Sequence, residues 1–401
     1  MKAARALLFM QAGFVHAGWV SMRMMVGYRA LEVTSDALQL GLVVAAFAAT
    51  AILVALPIGR LADILGGAPM TLYGCVISAV VCSLATWANS IYQLVIAAAA
   101  LGLGQLLFVV GQQAVIAERA TGSKLDKDFG WLLSAISAGQ VFGPVVVSAV
   151  GTWGAVTFEV TPSGPGLLSA ATLYFIGGLL GIIIRPKSHI ASRPTVSLGR
   201  TARQVMGTPG MWRAFVAGGV VIVGLDMLYA FLPAWGEANE LSVVVVGWLL
   251  SLRAIVTVVS RLALGRLLRI VDRRQILVAC FVIATVAFGL LPLVEVLGAT
   301  LIMCGLGIAL GLPQPITLAW VVSRAHSGHR GAALGLRATS NRTIQLLVPI
   351  IVGAAATPFG GGGIFLGMAV IMLGATFIAG SSRDLGLDPP GTAKEDDTST
   401  L

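Results

Sequence analysis

Long apolar runs, each broken by a short stretch rich in charge, Gly or Pro, recur from one end of the chain to the other. They fall near 6–30, 38–58, 71–87, 92–117, 131–151 and 167–184, and again near 211–235, 243–264, 276–293, 297–322, 332–357 and 364–379. Runs of this length match the roughly 20 residues that an α-helix needs to cross about 30 Å of hydrocarbon. The pattern therefore predicts an all-α membrane protein of twelve transmembrane helices, with no room for a large soluble domain. Two six-span series divide the chain into pseudo-symmetric bundles at 1–184 and 211–380. A segment at 185–210 joins them, and a polar, Pro- and Gly-containing tail at 381–401 is expected to be disordered.

Composition agrees with this picture and narrows it. Hydrophobic residues make up 57% of the chain and charged residues 11%, with a mean hydropathy of +0.93, which excludes an ordinary soluble globular protein. The net charge of +9 does not signal nucleic acid, because the basic residues are scattered between apolar runs without interleaved aromatics. Their distribution reads as topology instead. The stretch from Arg185 to Arg213 carries Arg185, Lys187, Arg193, Arg200, Arg203 and Arg213 with no acid among them. Alternate loops add Arg60, then Arg119, Lys124 and Lys127, then Arg261, Arg266, Arg269, Arg273 and Arg274, then Arg324 and Arg330. The opposite loops hold Glu32, Asp36, Glu159, Glu237, Glu240 and Glu295. The excess of positive charge on the inner side predicts cytoplasmic termini in a bacterial inner membrane. The first apolar run is too long for a signal-peptide core, so it is expected to be kept as a span. Cys75, Cys82, Cys280 and Cys304 all lie in predicted spans without metal-clamp spacing, so no metal site is expected.

An internal repeat gives the halves a relation. Gly59-Arg60-Leu61-Ala62-Asp63-Ile64 returns half a chain later as Gly265-Arg266-Leu267-Leu268-Arg269-Ile270, each copy following the second span of its series. Parallel halves related by an axis along the membrane normal follow from that placement.

The first copy, continued through Leu65 and Gly66, resembles the signature loop of the major facilitator superfamily. In that pattern a Gly opens the turn, an acid follows and a second Gly closes it. The second copy keeps Gly265 and the cluster Arg269, Asp272, Arg273 and Arg274. The fifth span carries Gly130, Gly139, Gly143 and Pro144, similar to the antiporter motif of exporters in this superfamily, with Val147 and Ser148 where closing glycines are usual. The fourth span reads Gly102-Leu103-Gly104-Gln105 and lacks the Arg that many exporters carry there. The resemblance implies a secondary transporter working by alternating access. It also implies a cytoplasmic gate made by Gly59, Asp63, Gly66, Gly265, Arg269 and Asp272, with Asp63 set against the start of the eleventh helix near Gly331 and Ala332. A helix start offers unpaired N–H groups and partial positive charge to such an acid.

Charges within apolar runs cost about 2.5–3.5 kcal/mol each on insertion scales, so those that persist are the first functional candidates. Four lie deep: Arg23 in the first span, Asp226 in the seventh, Arg253 in the eighth and Arg342 in the eleventh. Three arginines against one acid favour a substrate with a carboxylate or phosphate, which guanidinium grips with a planar fork. Gln105, Gln314 and Asn341 are candidate polar contacts, with Gln112, Gln113 and Gln345 nearby in sequence. Asp226 is the candidate for proton coupling, since burial favours its neutral form and a neighbouring Arg its ionised form. A lone His16 in the first span reads as an interior residue.

The expected partners are thus a small molecule, anionic in the arginine reading, protons as coupling ion and the lipid bilayer, in a monomer without cofactor. Proton-coupled export of a small organic compound leads. Import or exchange of an organic anion is the alternative, and a non-transporting membrane sensor or assembly factor is the reading from another class. No nucleophile–base arrangement argues for an enzyme, and no phosphate-binding loop argues for ATP drive.

Overall fold

The structure is a computed structural model, and it describes residues 2–119, 123–183, 206–208, 210–324, 330–356 and 360–381. The linker and the tail expected at 185–210 and 381–401 lie largely outside the described residues. Six helices form the first half: α1 (Lys2–Leu31), α2 (Ala37–Leu65), α3 (Gly67–Ala85), α4 (Ile91–Arg119), α5 (Ser123–Phe158) and α6 (Ser163–Ile183). The second half contains α7 (Met211–Ala238), α8 (Val243–Leu267), α9 (Arg273–Leu290), α10 (Val296–Gly311), α11 (Pro313–Arg324), α12 (Arg330–Ala356) and α13 (Gly360–Gly380). Helices α10 and α11 form one crossing, interrupted at Leu312, because Pro313 has no N–H to continue the ladder and its ring crowds the preceding turn. The described residues are helical with short turns and contain no strand.

Ten segments are long and apolar enough to cross a membrane by composition. The two crossings outside that set are α1 and α12, which carry Gln11, His16, Ser21 and Arg23, and Arg337, Asn341, Arg342 and Gln345. Their polarity is tolerable because so little of it meets lipid. From Val15 to Tyr28, every residue of α1 is buried. On α12 Asn341 and Gln345 are buried and Arg337 and Arg342 half-buried, while residues such as Thr339 and Thr343 form an exposed face.

Helix ends differ from the sequence expectation at the repeated motif. Gly59 and Gly265 do not open turns: α2 runs through Gly59 to Leu65, and α8 runs through Gly265 to Leu267. The first turn comes at Gly66, whose φ of 80° suits a residue without Cβ. In the second copy, Asp272 is the N-cap of α9 and forms a capping box with Gln275, so helix capping is its structural role.

Small residues let neighbouring helices approach to backbone distance. Along α3 and α4, a Cβ on Gly67 would lie 2.5 Å from the carbonyl oxygen of Gly111, and one on Gly74 would lie 2.6 Å from that of Gly104. Backbone cannot yield as a flexible side chain can. Gly74→Val is expected to lower stability by about 1–3 kcal/mol, the usual cost of overpacking. Gly130→Ala, at a helical site with nothing within 4 Å, should be neutral or slightly stabilising. Thermal unfolding in detergent distinguishes the two.

The halves meet through α1 with α7, α2 with α12, and α5 with α8. The closest approaches all lie toward the ends joined by acidic loops. A Cβ on Gly27 would sit 2.6 Å from Ala230 O, one on Gly353 2.7 Å from Ala37 O, and one on Gly247 2.7 Å from Pro144 O. Helix α4 and the α10–α11 crossing, which occupy the equivalent places in the repeat, make no comparable packing with each other. Among the described residues the two bundles thus meet closely on the acidic-loop side and make no such approach on the basic-loop side.

Candidate transport site

Just inside the close approaches of the two halves, five polar side chains form one chain of contacts across both. Arg23 on α1 donates from Nη1 to Asp226 Oδ1 on α7 at 2.5 Å. The other carboxylate oxygen of Asp226 accepts from Gln345 Nε2 on α12. Gln345 Oε1 in turn accepts from Arg342 Nη1 at 3.2 Å, and the same nitrogen reaches Gln105 Oε1 on α4 at 3.4 Å. The chain begins and ends on the first half, at α1 and α4, and passes through α7 and α12 of the second. It holds two guanidinium groups and one carboxylate, an excess of one positive charge.

Local sequence explains how Arg23 can be held there. Its guanidinium carbon lies 5.2 Å from the Trp19 ring centre, one helical turn earlier on α1, and 5.0 Å from that of Phe47 on α2. Trp19 and Phe47 meet edge to face at 5.7 Å. Desolvated cation–π contacts of this kind contribute about 2 kcal/mol and offset part of the burial cost. Among the described residues, Arg23 Nε is buried without a hydrogen-bond partner. Asn341 Oδ1, four residues before Gln345 on α12, is also buried without a partner among the described residues.

Arg253 stands apart from this chain. Its Nη2 donates to the Tyr229 hydroxyl at 2.5 Å, and its guanidinium packs against the same ring at 5.2 Å. Gln314 Oε1 on α11 receives Arg337 Nη2 of α12 at 3.4 Å. The sequence-derived set therefore divides. Arg23, Asp226, Arg342 and Gln105 converge, while Arg253 and Gln314 line a cavity of about 720 Å³ between α5 and α8. Residues that sequence reasoning did not single out are Trp19, Phe47, Tyr229 and Arg337. Arg337 has a sequence signal, being a further Arg five residues before Arg342 on a short-looped polar span; the aromatics have none beyond their spacing from Arg23 and Asp226.

Other predicted positions have different settings. A Cβ on Gly143 of α5 would come within 2.5 Å of Ala17 O on α1, and one on Gly139 would collide with Gly13 O, so this pair forms a close α5–α1 seam. Gly130 is exposed. Pro144 is inside α5, and its carbonyl faces Gly247 on α8, as does Ser148. Where the fifth-span motif has Ser148, the small residue is thus on the partner helix. The expected contact of Asp63 with the helix start near Gly331 and Ala332 lies outside the described residues, while Arg269 is exposed in the turn before α9. His16 is buried edge-on to Phe108 at 5.6 Å. Among the described residues, no group of three His, Cys, Asp or Glu gathers as a metal site.

The Major Facilitator Superfamily model matches residues 8–342 and 214–398. This chain belongs to that superfamily. Among solved structures, the nucleoside transporter NupG superposes with a TM-score of 0.77 at 14% identity, covering 96% of this chain and 99% of that one. A bacterial homologue of the human lysosomal transporter Spinster, inward-facing and unoccupied, gives 0.72 at 14%, covering 96% of each. A POT family transporter bound to a thioalcohol-conjugated peptide gives 0.72 at 12%, covering 93% and 94%. No curated protein matches by sequence. Within this fold the five-residue chain joins side chains of both halves.

Proposed function

We propose that this superfamily member is a secondary active transporter that moves a small organic anion together with a proton. The observation that carries the reading is Asp226, whose two carboxylate oxygens are taken up by Arg23 of the opposite half and by the Gln345–Arg342 relay. An incoming carboxylate or phosphate needs the same guanidinium groups. While Asp226 is ionised, it competes with that anion for Arg23. Once protonated, it no longer attracts Arg23 as an anion, and the substrate can take its place. Proton and anion then bind synergistically and cross together.

In this reading the basic loops are cytoplasmic, so the acidic-loop seal closes the outside and the chain stands open to the inside. Opening outward separates α1 from α7, and with them Arg23 from Asp226. A proton and an anion occupying the site remove the charge attraction that opposes that separation.

Export is the second reading, favoured by the close α5–α1 seam at Gly139 and Gly143. The two differ in the sign of coupling. The test is a panel of radiolabelled mono- and dicarboxylates and phosphate monoesters on proteoliposomes. An acid-outside pH gradient should drive uptake of at least one of them above the rate without a gradient. If every flux in the panel opposed the proton gradient, export would replace the proposal.

A further inference from the structure

We infer that the crevice between α5 and α8 is a lateral passage for an anionic amphiphile between the transport site and the basic-loop leaflet, with Arg253 and Arg261 holding its headgroup in turn. The inference rests on the transport reading for its purpose and narrows the substrate class. The cavity of about 720 Å³ has two unlike walls. One is made by exposed apolar side chains such as Phe142, 66% exposed, and Leu262, 80% exposed. The other is polar and basic, with Arg253, Arg261, Gln314, Gln140 and the Tyr229 hydroxyl, and among the described residues no acid lines it.

The basic wall lacks an internal counter-charge. Arg253 is 2% exposed, its hydrogen bond goes to the neutral Tyr229 hydroxyl, and its Nε is buried without a partner among the described residues. Arg261 Nε is held by Gly311 O at 3.1 Å, also a neutral group. A buried guanidinium without a carboxylate is costly unless an anion completes it. The two arginines are eight residues apart on α8, about 12 Å along the helix axis. Arg261 lies near the basic-loop end and Arg253 near mid-membrane.

That vertical pair, open to lipid along its apolar side, fits a molecule whose headgroup descends the arginines while its tail stays outside among the acyl chains. A soluble anion has no use for the exposed apolar wall. A neutral apolar compound has none for the arginines. Close packing at Gly247, Pro144 and Ser148 shuts the same α5–α8 seam on the acidic-loop side, so the passage serves one leaflet.

The test uses purified full-length protein in detergent and three probes: an oleoyl lysophosphatidate, the lysophosphatidylcholine of the same chain, and inorganic phosphate. Saturable binding of the lysophosphatidate is expected, at least about tenfold tighter than that of the zwitterionic lipid. Arg253→Gln and Arg261→Gln should each weaken it by about tenfold, in line with loss of a hydrogen bond to a charged group. Arg261 is exposed, so its variant keeps the test valid if the buried Arg253 variant does not fold. Equal binding of both lipids, or unchanged affinity in Arg261→Gln, would mean annular lipid only and overturn the inference. Displacement by inorganic phosphate at its own binding concentration would mean a site for soluble anions and overturn it too. No proton gradient or flux enters this assay, so its failure leaves the coupling role of Asp226 standing, and failure of that role leaves this result standing.

Discussion

Asp226→Asn proteoliposomes are expected to lose pH-gradient-driven uptake while retaining exchange of anion for anion. The amide is neutral at every pH, so the proton no longer alters competition for Arg23. Coupling free energies between two sites are commonly about 1–3 kcal/mol, which places the loss of gradient-driven stimulation in the range of about 5- to 150-fold. Exchange survives because it needs the anion site and the rocking of the halves, and neither requires the proton. Flux with and without an imposed gradient, measured on the same preparation, separates the two activities. Loss of both would mark Asp226 as a structural element of the fold.

Arg23→Met is expected to be the most destabilising single change at the site, and Asp226→Asn in the same chain is expected to reverse most of its effect. Arg23 and Asp226 form a pair whose side chains are 4% and 12% exposed. Removing the cation leaves a carboxylate inside the bundle with Gln345 as its remaining partner. Stranding one member of a buried pair costs about 3–5 kcal/mol, whereas replacing both is often close to neutral. The contrast between the single and double variants in thermal unfolding therefore reports the pairing itself. Equal melting temperatures for wild type and Arg23→Met would show that the contact contributes nothing to stability.

Much of this architecture was legible because lipid imposes a simple rule on sequence. Apolar runs matched the helices, ten of the segments being long and apolar enough to cross by composition, and the repeated Gly-Arg-Leu motif fell at matching points of the two halves. The turns were less legible. Gly59 and Gly265 read as turn openers, yet a glycine can sit in a membrane helix without ending it, and the chain turns only where Gly66 adopts φ of 80°. The four deep charges stood out because each is costly in hydrocarbon. Their grouping did not. Nothing in spacing along α7 and α8 shows that Asp226 pairs with Arg23 while Arg253 turns to Tyr229, since helix azimuth about the bundle axis decides it. Trp19 and Phe47 were silent for a different reason: an aromatic that cradles a guanidinium looks, in sequence, like any other apolar residue of a span. Gln345 was visible as a polar residue, but its role as the bridge between Asp226 and Arg342 depends on both neighbours being in place.

The central claim is that ionised Asp226 and the anion compete for Arg23, so that proton and anion travel together. Its most direct test is internal pH in proteoliposomes loaded with a pH-sensitive dye, with no pH gradient at the start and a transported anion from the panel added outside at high concentration. Co-transport predicts internal acidification as the anion enters, and its loss in Asp226→Asn. Internal alkalinisation, or anion entry with no pH change in the wild type, would contradict the account.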